Sequence, residues 1–370
     1  MLKTCLSGLA ALAVALGLAL PAAAQTMTVT DTLDREVQVP QTAERVLLGF
    51  YFEDFLAIAG PEAYERVVAI SKEAWQGWRN LQWQAYVETT PRIEKLIDVG
   101  EVDAGTFSLE TAIAAKPDVA ILAAWQFNGL GDAVAKLEAA GIPVVVADYN
   151  AQTVEKHVAS TLLIGKVMGA EARAKTLAED YAAAVAEVER RVAEAQKAGA
   201  APRPVYVELG NKGPGEPGNS YGNVMWGGVV GLAGGENIAR DQVAKWGPLS
   251  PEYVLARNPE VVFLAGSGWA KREQAVLMGP GIEAATTHAR MQPYLARPGW
   301  AELAAVKAGE VHALYHGGSR TLYDFAFLQY VAKALYPEAF ADVDPQANLE
   351  SFFRTYLPIE AKGTYMTRLP

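Results

Sequence analysis

The chain has 370 residues, of which 32 are basic and 42 acidic, giving a formal net charge of −10. This length exceeds what one hydrophobic core usually organises, so we expect two lobes. The acidic balance argues against nucleic acid or an anionic membrane surface as a partner.

The first 24 residues have the pattern of a secretory signal peptide. Lys3 supplies the positive charge, residues 6–20 are almost wholly apolar, and residues 22–24 form an Ala-x-Ala cleavage site. The apolar run is short for a membrane-spanning helix, and no later stretch is long enough. Cys5, the single cysteine, precedes this run and is not placed as a lipoprotein cysteine would be. We therefore expect a soluble, unlipidated protein of the periplasm, with no thiol in the mature chain.

Strand and helix patterns alternate through the first half of the chain. Residues 26–39 predict a β-hairpin, whereas Trp75, Trp78, Arg79 and Trp83 fall in a stretch without clear periodicity. Strands are predicted at 45–51, 66–71, 119–123 and 142–146, and helices at 53–60, 108–116 and 131–140. Such alternation indicates a parallel sheet with helices packed on its faces.

A longer helix is predicted at residues 153–168. Apolar residues recur at helical spacing from Val154 to Met168, Asn150 or Thr153 can cap the start, and Gly169 can close the end. Such a helix is about 24 Å long at 1.5 Å per residue. It favours a rigid bridge between two lobes, although one more helix on a single sheet is the alternative.

The second half repeats the same rhythm. An amphipathic helix is predicted at residues 171–198 and is expected to pack against the second lobe. Strands are predicted at 204–209, 261–265 and 311–315. Helices are predicted at 224–232, 250–257, 300–307 and 322–335, followed by a helical C-terminal tail. SLETAIAAKPDVAIL (108–122) and SPEYVLARNPEVVFL (250–264) match in register, each a capped helix that breaks at proline and leads into a buried strand. This repeat favours two lobes.

We therefore divide the chain into a signal peptide (1–24), an N-terminal α/β lobe (25–150), a bridging helix (151–169) and a C-terminal α/β lobe (170–370). Three motifs occur in this order: DVG…FSLETAIAAKPDVAIL, GLAGGENIARD…WGPLSPEYVLARNPEVVFL and PGWAELAAVKAGEVHAL. With these motifs, the mature chain resembles the substrate-binding proteins of the iron-siderophore, haem and vitamin B12 class of ABC importers. The resemblance implies two Rossmann-like lobes joined by one long helix, a ligand in the cleft between them, small closure and no enzymatic activity.

The resemblance also implies a docking surface for the permease. One glutamate on each lobe binds permease arginines in that class, and the matching positions are Glu110 and Glu252, in the SLE and SPE motifs. Alternatively, both carboxylates only support the first turns of their helices. The implied partners are an ABC permease dimer with its ATPase subunits, and the expected state of the binding protein is a monomer.

Ligand groups are expected beyond the carboxyl ends of the strands, where open α/β folds bind their ligands. Aromatic rings and arginines there suit a large, flat, anionic complex, although each tryptophan could instead belong to the core. The resemblance gives Trp246 a counterpart in a B12-binding relative. The candidates are Tyr51, Trp75, Trp78, Arg79, Trp125, Tyr221, Trp226, Trp246, His316, Arg320 and Tyr323.

Direct contact with a metal is a separate question. Without cysteine, a hard ion such as Fe(III) takes oxygen and imidazole donors. The candidate donors are Tyr51, Glu53, Tyr221, His316 and Tyr323. Since members of the siderophore class complete iron coordination with a His and a Tyr, the resemblance favours His316 with Tyr323 or Tyr221.

The sequence therefore predicts capture of a ferric chelate, with haem, cobalamin, another metal chelate or an oxyanion as alternatives, and no intrinsic cofactor. Two further alternatives come from other classes. Residues 218–222 fit G-x-S-x-G, which would make Ser220 the nucleophile of a hydrolase, although no strand leads directly into the turn. A periplasmic metal store or sensor partner without a transporter would leave Glu110 and Glu252 dispensable for uptake.

Overall fold

The computed structural model describes residues 25–370. The predicted signal peptide, with Cys5, lies outside the described residues. The strands are β1 Thr26–Thr30, β2 Glu36–Pro40, β3 Val46–Leu48, β4 Val67–Ile70, β5 Ile97–Asp98, β6 Val119–Ala123, β7 Val144–Ala147, β8 Pro204–Leu209, β9 Asn219–Tyr221, β10 Glu236–Asn237, β11 Trp246–Pro248, β12 Val261–Gly266, β13 Gly279–Pro280, β14 Val311–Tyr315, β15 Gly363–Thr364 and β16 Met366–Arg368.

The helices are α1 Phe52–Ala59, α2 Asn80–Thr89, α3 Leu109–Ala114, α4 Ala124–Leu130, α5 Asp132–Ala139, α6 Val154–Met168, α7 Glu171–Lys197, α8 Trp226–Leu232, α9 Pro251–Arg257, α10 Ala284–Met291, α11 Ala304–Lys307, α12 Asp324–Leu335 and α13 Pro345–Tyr356. None of the helices in residues 25–370 is both long enough and apolar enough to cross a membrane.

The first lobe is built on a five-stranded parallel sheet in the order β5-β4-β3-β6-β7. Every residue of β3, β6 and β7 is buried, as the apolar composition of these strands requires when helices cover both faces of a sheet. The predicted hairpin is present as β1 and β2, which pair antiparallel beside the sheet. Since the strands are parallel, their carboxyl ends all meet at one edge.

The second lobe has a five-stranded sheet in the order β10-β8-β12-β14-β16. The first four strands are parallel, and β16 joins β14 antiparallel. The predicted helical C-terminal tail is present as α13, but the tail is not helical to its end. After α13 the chain turns back to form β15 and β16, and three residues of β16 are too few to show a period-2 pattern.

The bridging helix is α6, and it begins and ends where the sequence predicts. The Thr153 hydroxyl accepts a hydrogen bond from the Lys156 amide (3.3 Å), and Gly169 closes the helix in the left-handed region at φ 67°. Gly165 allows α7 to approach closely, because a Cβ at that position would lie 2.2 Å from Cβ of Ala174. Helix α7 packs on α6 and α12 and also on α1 of the first lobe, so it does not belong to the second lobe alone.

Buried polar contacts join the lobes below the cleft. The Leu322 amide donates to Oδ1 of Asp54 (2.6 Å), and the Tyr323 hydroxyl donates to Glu53. From the bridging helix, Nε2 of His157 lies 3.0 Å from Oδ2 of Asp324. One hydrophobic core runs through both lobes. The fold is therefore the predicted one, two α/β lobes joined by a long helix.

Candidate ligand-binding site

A cavity of about 280 Å³ lies between the lobes, where the carboxyl ends of both parallel sheets meet. The first lobe contributes Trp78, Arg79, Asp103, Trp125 and Asn150, and the second contributes Leu209, Asn211, Asn219, Tyr221, Met225, Trp246, Trp269, Arg272, His316 and Arg320. Both lobes thus supply charged and aromatic groups to one space.

Strand ends determine where these side chains lie. Trp125 lies in the first turn of α4, just after β6, and Asn150 comes shortly after β7, where its Oδ1 accepts a hydrogen bond from the Tyr51 hydroxyl (2.8 Å). His316 follows β14 in the same way. In the second lobe Tyr221 pairs with Trp246 across the short antiparallel ladder of β9 and β11. The site is therefore built on the sheets and not on one loop.

Two arginines form a positively charged part of the wall. The guanidinium carbons of Arg79 and Arg320 lie 5.0 and 4.7 Å from the ring centroid of Phe50. Their exposed fractions are 4% and 9%, and in residues 25–370 neither makes an ion pair. Nη2 of Arg79 and Nε of Arg320 are buried without a hydrogen-bond partner among those residues.

Burial of Arg320, and next the positive charge of Arg79, lower the pKa of Arg320 to about 10. Within residues 25–370 neither guanidinium group has the ion-paired carboxylate that buried arginines normally have. An anion bound between them would supply the missing charge and the missing hydrogen-bond acceptors. The acid on the wall, Asp103, makes no ion pair with either arginine; burial raises its pKa, and the charge of Arg320 partly offsets that rise.

Aromatic side chains form the remaining first-lobe surface of the cavity. The rings of Trp78 and Trp125 are 6.3 Å apart, and Trp125 meets Phe50 edge-on at 5.6 Å. Nε1 of Trp125 is buried without a partner in the described chain, so it adds a further unused donor. Across the cleft, Trp246 is 39% exposed. Flat aromatic groups of a ligand can stack here while its anionic atoms reach the arginines.

His316 is held by hydrogen bonds to a single ring nitrogen. Nε1 of Trp226 donates to Nδ1 of His316 (3.2 Å), and the Tyr221 hydroxyl lies 3.4 Å from the same nitrogen. Burial, then the charges of Arg320 and Arg79, lower the pKa of His316 well below its usual range. Burial also raises the pKa of the Tyr221 phenol. At neutral pH both side chains are therefore uncharged.

Comparison with known proteins assigns the family. The family model described as "Periplasmic binding protein" matches residues 70–315, well over half of the chain. The chain belongs to the periplasmic binding protein family. It is therefore a substrate-binding protein and not an enzyme, as the resemblance implied.

Similar proteins of known name or structure agree with this assignment. A crystal structure of a TroA-like periplasmic binding protein, FepB, from Veillonella parvula is 32% identical, with a TM-score of 0.85, and the match covers 93% of this chain and 99% of that one. The vitamin B12-binding protein of Pectobacterium atrosepticum is 24% identical over 210 residues, 55% of this chain and 72% of the relative. A molybdate-binding protein of Haemophilus influenzae shares the fold, at 19% identity, a TM-score of 0.69 and coverage of 91% and 99%.

Seven of the predicted ligand residues line the cavity of this binding protein: Trp78, Arg79, Trp125, Tyr221, Trp246, His316 and Arg320. Four others do not. Trp75 is fully buried and stacks on Phe52 at 4.6 Å, inside the first-lobe core, so its expected cleft position is wrong. Trp226 is also fully buried, and its indole nitrogen donates a hydrogen bond to His316.

Tyr51 and Tyr323 are the other two, and both are buried behind the cavity wall. The Tyr51 hydroxyl donates a hydrogen bond to Oδ1 of Asn150 and accepts one from the Tyr149 amide. The Tyr323 hydroxyl bonds to Glu53, whose carboxylate also accepts from Gln82 (2.6 Å) and Tyr86 (2.8 Å). Glu53 and Tyr323 therefore bond to each other across the lobes, whereas Tyr51 is bonded within the first lobe, and the prediction that these three side chains face a metal is wrong. Of the five predicted donors, Tyr221 and His316 are on the wall.

Sequence reasoning did not predict that Asp103, Asn150, Trp269 and Arg272 line the cavity. Trp269 and Arg272 follow β12, so the rule that located His316 after β14 could also have located them.

The hydrolase alternative is not supported. Ser220 is fully buried in β9, and its hydroxyl makes no hydrogen bond to a histidine or any other group in the part of the chain that the structure describes.

Proposed function

We propose that this periplasmic binding protein captures a ferric chelate of the siderophore type in the cavity between its lobes and delivers it to an ABC import permease. The observation that carries the proposal is the pair Arg79 and Arg320, two buried arginines from opposite lobes with no carboxylate partner in residues 25–370. A ferric complex with catecholate or carboxylate arms has the anionic oxygens that two such guanidinium groups require.

The aromatic wall supports the same class of ligand. Trp78, Trp125 and Trp246 offer ring faces and edges to flat or aromatic arms. Cobalamin is close to neutral overall and gives less reason for two unpaired cations. Haem propionates and bare oxyanions satisfy the arginines, but an oxyanion leaves the aromatic wall without a partner. The relative that binds vitamin B12 and the fold neighbour that binds molybdate make cobalamin and oxyanions the comparison ligands of the test.

Delivery to a permease is proposed for Glu110 and Glu252. Both carboxylates are exposed in the first turns of α3 and α9, and neither makes an ion pair in the described chain. The caps themselves are Ser108 and Ser250, which accept from backbone amides at 3.2 and 3.1 Å. Helix capping therefore does not need the glutamate side chains, which leaves them available to arginines of a partner.

The proposal also includes export by residues 1–24 without lipidation and action as a monomer. Its test is fluorescence titration of the purified mature protein with ferric catecholate, ferric hydroxamate, ferric citrate, haemin, cobalamin and molybdate, read from its eight tryptophans. Saturable quenching by one ferric chelate at submicromolar concentration is the expected result. Saturation by haemin, cobalamin or molybdate alone would overturn the proposed ligand.

A further inference from the structure

The hydrogen bonds of His316 determine which of its ring nitrogens carries a proton. The Trp226 indole N–H can only donate, so Nδ1 of His316, 3.2 Å away, accepts with its lone pair. The Tyr221 hydroxyl, 3.4 Å from the same nitrogen, has the same acceptor available. Two potential donors converge on Nδ1, which leaves no room for a proton there.

A neutral imidazole carries one proton, which must therefore be on Nε2. Nε2 makes no hydrogen bond within residues 25–370, and the ring lines the cavity. The nearby guanidinium groups of Arg79 and Arg320 oppose a second proton on the ring. His316 thus presents an N–H to the ligand, and an N–H has no lone pair with which to bind a metal ion.

The other cavity residues offer donors as well. Nη2 of Arg79, Nε of Arg320 and Nε1 of Trp125 are all N–H groups without a partner among the described residues. The Tyr221 phenol keeps its proton because it is buried. No group of three or more His, Cys, Asp or Glu side chains in residues 25–370 is arranged to hold a metal ion. The arginine, tryptophan and histidine groups of the wall are therefore set to donate to anionic oxygens, while the carboxylate of Asp103 and Oδ1 of Asn211 are acceptors on the same wall.

We infer that the cavity selects chelates in which the metal is already fully coordinated, with anionic oxygens on the outside of the complex. This inference rests on the proposed function, and it narrows the expected ligands to six-coordinate metal complexes with a net negative charge. His316 contributes specificity by donating from Nε2 to an oxygen of the chelate. Trp226 is a positioning residue that fixes the tautomer of His316.

The test compares two catecholate chelates, a hexadentate one and a tetradentate one that leaves two positions on iron open. The hexadentate chelate is loaded with Fe(III) and, separately, with Cr(III), which exchanges ligands too slowly to accept a protein ligand during a titration. We expect the two hexadentate complexes to bind within about threefold of each other, and the tetradentate ferric complex about tenfold more weakly, since one or two hydrogen bonds to a charged acceptor are lost. The iron charge-transfer band should not move on binding.

A charge-transfer shift when the tetradentate complex binds, absent in His316→Gln, would show direct ligation and overturn the inference. Tighter binding of the tetradentate complex than of the hexadentate one would also overturn it. If neither ferric complex binds, the proposed function fails as well. If only the tetradentate ferric complex binds, the proposed function stands and this inference alone is wrong.

Variants separate a hydrogen-bond role from a structural role. His316→Gln keeps an acceptor for Trp226 and an N–H for the ligand, so hexadentate binding should weaken by less than about threefold, whereas His316→Leu should lose about tenfold or more. Equal losses in both variants would contradict the assignment. Trp226→Phe frees Nδ1 and allows the other tautomer, so a charge-transfer shift with the tetradentate complex should appear only in that variant. Because Trp226 is fully buried, the two His316 variants carry the test if Trp226→Phe does not fold.

Discussion

Arg79 and Arg320 come from opposite lobes, yet their guanidinium groups lie over the same ring, Phe50, at 5.0 and 4.7 Å. In residues 25–370 no carboxylate pairs with either of them. Two like charges held this close in a buried space oppose each other until an anion arrives. The first prediction follows from this arrangement.

Replacing Arg320 by Gln should weaken binding of an anionic ferric chelate by about 10- to 100-fold, because a charged hydrogen bond in a buried site is lost. Raising salt from low to high concentration should weaken the wild-type complex more than the variant complex, since the variant has less charge to screen. Fluorescence titration at two salt concentrations measures both effects. Arg354→Gln, an exposed change on α13, is the matched control. Unchanged affinity in Arg320→Gln would contradict the charge argument.

Trp75 and Trp78 should respond in opposite ways. Trp75 is stacked on Phe52 in the core, so Trp75→Phe should cost about 1–3 kcal/mol of unfolding free energy and leave chelate affinity within about twofold. Trp78 lines the cavity, so Trp78→Ala should weaken binding by about 1–2 kcal/mol with little loss of stability. Urea unfolding and fluorescence titration of both variants measure the contrast. A large loss of affinity in Trp75→Phe would restore Trp75 to the site.

Asp54 gives a prediction about pH. Burial raises its pKa well above the usual value, although its Oδ1 accepts from the Leu322 amide. The folded state therefore holds a proton more tightly than the unfolded state, and stability from this group is present at low pH and falls as pH rises from the unfolded pKa towards the folded one. Asp54→Asn keeps the acceptor and removes the charge. The variant should match or exceed the wild type in melting temperature at pH 8, and the difference should shrink towards pH 4.

The docking proposal predicts a separation of binding from transport. Ala at Glu110 or Glu252 should leave chelate affinity unchanged, because both side chains are exposed and neither lines the cavity. Uptake of a radiolabelled ferric chelate should fall about tenfold in each single variant and further in the double variant, when each gene replaces the natural one in a deletion strain. Glu189→Ala, an exposed acid on α7, serves as the control. Normal uptake by the double variant would favour a metal store over a transport protein.

Sequence reasoning located much of the fold because its signals are local. Thr153 and Gly169 mark the bridging helix by capping chemistry, and the apolar strands are recognisable from composition. The strand-end rule likewise indicated Trp125, His316 and Arg320. Trp75 was misassigned because residues 73–77 form a π-helical turn, whose packing against Phe52 depends on contacts that no periodic pattern shows.

Hydrogen-bond networks were beyond prediction for a related reason. Glu53 and Tyr323 are 270 residues apart, and each has a chemistry that suits a metal ion as well as a structural contact. Only the tertiary fold shows that they bond to each other. The same holds for Trp226 and His316, whose hydrogen bond decides how the imidazole can act.

The contacts of Asp54 with the Leu322 amide and of Glu53 with Tyr323 fasten a second-lobe segment to the first lobe. That segment also carries His316 and Arg320. The opposite wall, with Tyr221 and Trp269, is tied to the first lobe as well: the Ser267 hydroxyl donates to the Trp78 carbonyl oxygen (3.2 Å), and the Met225 amide donates to the Asn150 carbonyl oxygen (3.1 Å). Since hydrogen bonds between the lobes hold both walls, the arginine pair keeps its spacing in the empty protein, and an arriving anion meets a preorganised site.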